Sequence, residues 1–431
     1  MNQLLENQSD DFSKKHFSWD WVSKMGVVFA LLIIYVGFGV TMRFHGEGWS
    51  FFGVDNIEKM GRNIMMVGVA ALGMTMVMIL GGIDLSVGSV VALSGVVLAQ
   101  VLNVTRPPIF GVDEVGFLSE WMSIDFYYLD VYPMLWPVVA ILAAVLAGTL
   151  CGLFNGALIV GLRVVPFIIT LGTLLFIRGL SLFITGEGKV EPHAVRGASW
   201  LEGVMAPGTE AKFMGSLSQF PMLKQFISVS SVVVGLIVLG LIVLRVWGGL
   251  KRKHLGASMG WGLLGVLFCV ALYGVRFWST GFWVCAFLSL IVAGVLLYTR
   301  FGRHVYAIGS NEQTARLCGI AVGRTKIITY ALMGFFAGVA GVLLFSQVGV
   351  GSPTEAEGLE LDVIAAVVIG GGSLAGGKGS VFGTILGASI MSLIYYGCTQ
   401  LGVDDGSQRM VTGGIIVIAV GLDQLRRGGV K

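Results

Sequence analysis

The sequence predicts an all-α polytopic membrane protein with about 10–12 transmembrane helices, some of them broken or re-entrant. Three observations predict it. Of 431 residues, 55% are hydrophobic and only 12% are charged, about half the roughly 25% charge of a soluble domain. The apolar residues fall into long runs parted by short polar segments, as repeated crossings of a hydrocarbon layer require. The 64 glycines are spread through those runs, which fits close helix–helix approach in lipid better than flexibility. A net charge of +3 gives no sign of nucleic-acid binding. The 5 cysteines are odd in number and mostly inside apolar runs, so they read as small core residues and not as a disulfide frame.

Residues 1–25 form a polar, basic-flanked leader with no apolar core near Met1, so no cleavable signal peptide is expected. Residues 26–425 read as one transmembrane domain and 426–431 as a basic tail. The apolar stretches follow at 26–42, 64–80, 87–101, 135–160, 166–185, 229–244, 260–275, 282–297, 327–345, 363–375, 381–401 and 410–422. Several are shorter than the roughly 20 residues that a perpendicular span needs, which is where re-entrant segments are expected. With the N-terminus inside, Arg163 and the basic segments 245–253, 300–324 and 426–431 share one side of the membrane. The acidic segments 113–130 and 355–360 fall on the other. This satisfies the positive-inside rule and places both termini in the cytoplasm.

Between the second and third spans runs Gly81-Gly82-Ile83-Asp84-Leu85-Ser86-Val87-Gly88-Ser89. A carboxylate at a helix centre in lipid costs roughly 2.5–3.5 kcal/mol on insertion scales, so Asp84 must face protein or water. Irregular backbone at that depth is tolerated only where its polar groups are satisfied. The stretch therefore predicts a broken turn beside an aqueous pathway. Two compatible readings of Asp84 stand together: a cap on the following helix, and a pathway or gate residue. A second glycine break echoes the first. Gly81-Gly82-x-x-Leu85 with Gly88-Ser89-Val90 recurs as Gly370-Gly371-x-x-Leu374 with Gly379-Ser380-Val381. Both copies end spans that run the same way, which points to parallel halves; the plainer reading is coincidence in a glycine-rich chain.

Further along, Gly148, Gly152 and Gly156 make a small-residue stripe for close packing. Asn155 beside it can hydrogen-bond across helices or face the pathway. Pro166 suits the first helical position, where its missing N–H is harmless, with Phe167 and Thr170 following. Arg178 lies deep enough to need a partner, or else it snorkels to the interface. Residues 372–379 imitate a phosphate-binding loop, but Gly379 stands where Ser or Thr should hold magnesium. No nucleotide site is expected.

The basic loop 299–325 carries the capping-box pattern Ser310-Asn311-Glu312-Gln313 and a glycine stop at Gly319. Between them fits a helix of about eight residues, roughly 12 Å long. With Arg316 on it and Arg300, Arg303 and Arg324 around it, such a helix is shaped to dock on a cytoplasmic partner. The plainer reading is a solvated loop made basic by topology alone.

At these residues the sequence resembles the permease subunits of bacterial monosaccharide ABC importers, the ribose/galactose/xylose group. The matching blocks are 81–89, Asn155 to Thr173, Arg300-Phe301-Gly302-Arg303-His304-Val305-Tyr306-Ala307-Ile308-Gly309 through Gly319-Ile320, and Glu360-Leu361-Asp362-Val363-Ile364-Ala365-Ala366 through Gly387. The resemblance implies a pore made with a second permease copy in the bacterial inner membrane. It also implies a cytoplasmic ABC ATPase that holds ATP and Mg, and a periplasmic sugar-binding protein. This chain itself would bind no cofactor, catalyse nothing and contact lipid but no nucleic acid. The segment around Ser310, Asn311, Glu312, Gln313, Ala315, Arg316 and Gly319, with Arg303 before it, corresponds to the part that docks on the ATPase. Of the importer pattern Glu-Ala-Ala-x-x-x-Gly, only Ala315 and Gly319 carry over. The extra pair of crossings within 245–298 is most similar to the xylose permease branch. Candidate pathway or gate residues are Asp84, Ser86, Asn155, Phe167, Thr170, Glu360 and Asp362. The alternative is an ion-coupled secondary sugar transporter with Asp84 as proton carrier; a third rival is a channel.

Overall fold

The computed structural model describes residues 26–44, 50–103, 135–186, 188–191 and 280–428. The helices are α1 (Gly26–Phe44), α2 (Val54–Ile79), α3 (Val87–Asn103), α4 (Leu135–Leu162), α5 (Pro166–Thr185), α6 (Thr280–Tyr298), α7 (Arg300–Ser310), α8 (Glu312–Leu317), α9 (Val322–Val348), α10 (Leu359–Ile369), α11 (Val381–Gln400) and α12 (Asp405–Gly428). Among the described residues there is no strand beyond one antiparallel bridge between Val190 and Gly351, and 7 helices are long and apolar enough to cross a membrane. The chain is an all-α, multi-pass membrane protein. The leader 1–25, the acidic segment 113–130, the stretches 229–244 and 260–275, and the basic segment 245–253 lie outside the described residues, as does Cys269.

Burial sorts the helices. The span within α2 is 78% buried, against 22% for that of α5. α2 is the hub, packed against α6, α9, α10 and α11. α4 and α5 instead turn Leu146, Leu150, Ile168, Leu175 and Phe183 outward, as lipid-facing helices do. Among the described cysteines, Cys285 and Cys398 are buried, Cys151 is half-buried and Cys318 is exposed.

The glycine stripe is the α4–α9 contact. A Cβ at Gly148 would stand 2.6 Å from Gly334 O, one at Gly152 would stand 2.8 Å from Gly334 Cα, and one at Gly156 would stand 2.9 Å from Ile327 Cα. Where Gly148 and Gly152 meet Gly334, two backbones touch because neither helix carries a side chain there.

The helix pairings correct the expected symmetry. α4 packs on α9 as α11 packs on α2; α3 packs on α4 and α9 as α10 packs on α11 and α2; α3 meets α5 as α10 meets α12. α2 thus exchanges with α9, and the two are antiparallel: Gly73 lies against Met333 and Phe336, Gly82 against Tyr330. The halves are related in the inverted sense, not the parallel one. The two glycine motifs are neighbours instead of equivalents, with a Cβ at Gly81 falling 3.9 Å from Gly376 Cα.

The two short helices match the expectation of broken spans. α3 has 17 residues and α10 has 11, roughly 25 and 17 Å at 1.5 Å per residue. Neither crosses about 30 Å of hydrocarbon. Their N-terminal ends meet, so that a Cβ at Gly88 would lie 2.6 Å from Ala356 O.

Candidate functional site

α2 ends because Gly81 takes φ +87°, a conformation that side chains resist and glycine does not. Gly81 N donates to Met78 O at 2.9 Å and Gly82 N to Val77 O at 2.9 Å, the pair of bonds that closes a helix C-terminus on a glycine. Ser86 stands just before α3, and its carbonyl accepts from Val90 N at 2.9 Å. Between the two helices, Asp84 Oδ1 accepts from Ser86 N at 2.9 Å and Ser86 Oγ at 2.6 Å. The carboxylate therefore fixes the residue just before α3, and does not bond the first-turn amides that a direct cap would.

Two other helices reach into the break. Asn155 on α4 donates Nδ2 to Ser86 Oγ at 2.8 Å. Thr170 on α5 donates to Ile83 O at 3.3 Å, shared with its own helix at Phe167 O. Asp84 is 2% exposed, and Ser86, Asn155 and Thr170 are fully buried. Four sequence candidates thus form one cluster. Phe167 does not join it: its ring is about half exposed on the outer face of α5.

Tyr330 on α9 is the member that sequence reasoning missed. It is fully buried, and a Cβ at Gly82 would sit 2.5 Å from its hydroxyl. That hydroxyl and Asn155 Oδ1 have no hydrogen-bond partner among the described residues. The only signal was one hydroxyl-bearing ring in an apolar span.

Glu360 and Asp362 occupy the first turn of α10, whose start meets that of α3. The Glu360 carboxylate lies beside Gly88 of α3, and its Oε2 is buried without a partner among the described residues. Arg178 reaches this junction from α5, donating Nε to Ser89 Oγ at 3.3 Å and Nη1 to Pro353 O at 3.3 Å. It has partners, and snorkelling is not needed to explain it. Asp362 has Arg409 of α12 within electrostatic reach.

Beside the C-terminal end of α2 the loop 299–325 forms two helices, α7 and α8, where one was expected. Ser310 completes α7, so it cannot cap α8. Asn311, extended at φ −161°, does so by accepting from Thr314 N at 2.9 Å. α8 has 6 residues, fewer than the expected length. It stops at Gly319, φ +79°, where Gly319 N bonds Arg316 O at 3.0 Å and Ile320 N bonds Ala315 O at 3.1 Å. Glu312 accepts from Arg316 Nη2 at 2.6 Å and from Lys326 Nζ, on α9, at 2.8 Å. Burial pushes the Glu312 carboxyl upward, but the bonds and charges of Lys326 and Arg316 outweigh it and hold it below the usual carboxylate range. Ala315 is buried, whereas Arg303, Ser310, Asn311, Gln313, Arg316 and Gly319 are exposed. Leu317, not singled out by the sequence, is 88% exposed. One turn of helix is thus clamped to the bundle and presents a basic, partly apolar face.

Comparison with known proteins agrees with this architecture. The family described as branched-chain amino acid transport system / permease component matches residues 56–420. The ribose import permease protein RbsC of Escherichia coli is 28% identical over 96% of this chain and 98% of its own length. The xylose transport system permease protein XylH of Haemophilus influenzae is 32% identical, covering 91% of this chain and 95% of that protein. RbsC of Bacillus subtilis is 32% identical over 87% of this chain and 86% of its own. No solved structure matches the chain. The helical bundle with its broken spans, together with a family match over most of its length, settles the assignment: the chain belongs to the branched-chain amino acid transport system permease component family.

Proposed function

We propose that this chain is the membrane-spanning permease subunit of an ATP-driven monosaccharide importer in the bacterial inner membrane, with both termini in the cytoplasm. The substrate class is an aldopentose: the similar relatives are named for ribose and for xylose, and D-xylose is the first choice. ATP and Mg are held by a cytoplasmic ABC ATPase, a periplasmic binding protein delivers the sugar, and a second permease copy completes the pore. No covalent chemistry is assigned to this chain.

The observation that carries the reading is α8. A helix of 6 residues cannot hold itself. This one is capped at both ends and tied to α9 through Glu312 and Lys326. Its exposed Arg316 and Leu317 suit a groove on a partner better than open water. The cluster at Asp84 is the part of the pathway that such a partner would move.

Proteoliposomes containing this chain, the ATPase and the binding protein should accumulate xylose or ribose only with ATP inside the ATPase compartment. Uphill uptake by the chain alone under a proton gradient would establish the ion-coupled reading instead. Downhill flux by the chain alone would establish a channel.

A further inference from the structure

We infer that Tyr306 and Gly309 of α7 are positioning residues that pass the movement of α8 to both glycine breaks at once. This rests on the reading of α8 as the docking segment.

Asn311 alone joins the two helices, ending α7 and capping α8. With no slack between them, displacement of α8 displaces the end of α7. That end sits in a junction made almost wholly of backbone. A Cβ at Gly309 would overlap Ile79 O and stand 2.7 Å from Gly377 N. A Cβ at Gly376 would stand 2.7 Å from Gly309 O and 2.9 Å from Gly81 Cα, and one at Gly377 would stand 2.9 Å from Ser310 Oγ. Gly377 N also donates to Ile79 O at 2.8 Å. The end of α2, the loop before α11 and the end of α7 therefore touch without side chains that could change rotamer and absorb a shift. Close-packed contacts of this kind transmit strain.

Tyr306, one turn earlier, donates its hydroxyl to Gly379 O at 2.8 Å. The next residue, Ser380, caps α11 by accepting from Gly383 N at 3.1 Å. α7 thus grips the start of α11 through Tyr306 and the end of α2, just before Asp84, through Gly309. α11 packs on α2, so one push moves the break and the neighbouring helix together.

The test uses the complete transporter in proteoliposomes and reads sugar taken up per ATP hydrolysed. Tyr306→Phe keeps the ring and removes one hydrogen bond. It should lower that ratio about three- to tenfold, the range that one bond supplies, while ATP hydrolysis stimulated by the binding protein stays within about twofold. Gly309→Ala should abolish uptake while the ATPase still co-purifies. An unchanged ratio in Tyr306→Phe, or a parallel fall in uptake and hydrolysis, overturns the inference, as does full uptake by Gly309→Ala. If Gly309→Ala fails to assemble, Tyr306→Phe decides alone. Failure of the unsubstituted chain to couple to any ATPase removes the proposed function, and this inference with it.

Discussion

Asn155 donates its side-chain amide to Ser86 Oγ across 2.8 Å, and through that hydroxyl a helix far along the chain holds the carboxylate of Asp84. Ser86 Oγ is both acceptor from Asn155 and donor to Asp84. The three form a relay in which each buried group depends on the next.

The relay predicts a contrast at Asp84. Asp84→Asn leaves an oxygen to accept from Ser86 N and Oγ, so thermal unfolding of the purified protein should shift little and ATP-driven uptake should persist. Asp84→Leu strands both donors in a fully buried site and should destabilise by about 1–3 kcal/mol, seen as a lower melting temperature. Equal melting temperatures for the two variants would refute the relay.

The α4–α9 crossing predicts a second contrast. Gly152→Leu has to push Tyr330 O and Gly334 away, and overpacking of this kind typically costs about 1–3 kcal/mol, occasionally more. Its folded yield in membranes, read by size-exclusion chromatography, should collapse. Gly161→Ala on the same helix meets nothing within 4 Å and should purify like the parent. Similar yields for both would remove the argument from close approach.

Arg178 predicts a third. Arg178→Ala leaves Ser89 Oγ and Pro353 O without their donor and leaves Glu360 without the cation within its electrostatic range. Uptake should fall roughly tenfold or more, and Arg178→Lys should recover only part, since an ammonium cannot reproduce the planar fork. Adding Glu360→Gln to Arg178→Ala should restore some of the loss, as coupled sites do. Strict additivity in that double-mutant cycle would show that the two do not interact.

The clamp on α8 predicts a pH dependence. The Glu312 carboxyl lies below its unfolded value, so its contribution is complete above the unfolded pKa of about 4.3 and is lost as pH falls through the lower folded value. The group is 37% exposed, and solvent screening keeps such pairs to roughly 0–1 kcal/mol. Amide exchange of residues 311–319, corrected for intrinsic rates, should accelerate modestly below about pH 4. In Glu312→Gln it should be fast already at pH 7 and insensitive to acid. Identical profiles for the two proteins would separate the ion pairs from the order of α8.

Much of this protein is legible in its sequence. Apolar runs of sufficient length must be helices where no water can satisfy a backbone, and Gly81 and Gly319 end helices because φ near +80° is open to them. Hence the α2 and α8 stops, the glycine stripe on α4 and the polar break at Asp84 all lie where residue type put them. Asp84, Ser86, Asn155 and Thr170 could be named as polar residues in apolar surroundings.

What the sequence could not determine was who meets whom. The partnership of Arg178 with Ser89 and Pro353, the arrival of Tyr330 beside Gly82, and the grip of Lys326 on Glu312 all join residues from different helices. Local pattern fixes a helix's faces, but packing fixes which face finds which neighbour. The symmetry shows the same limit. Repeated glycines at 81 and 370 read as parallel copies, whereas the antiparallel packing of α2 on α9 makes the halves inverted and brings the two motifs side by side. Composition and periodicity determined that this chain crosses a membrane in broken helices; only the contacts between those helices decided where its buried polar groups converge.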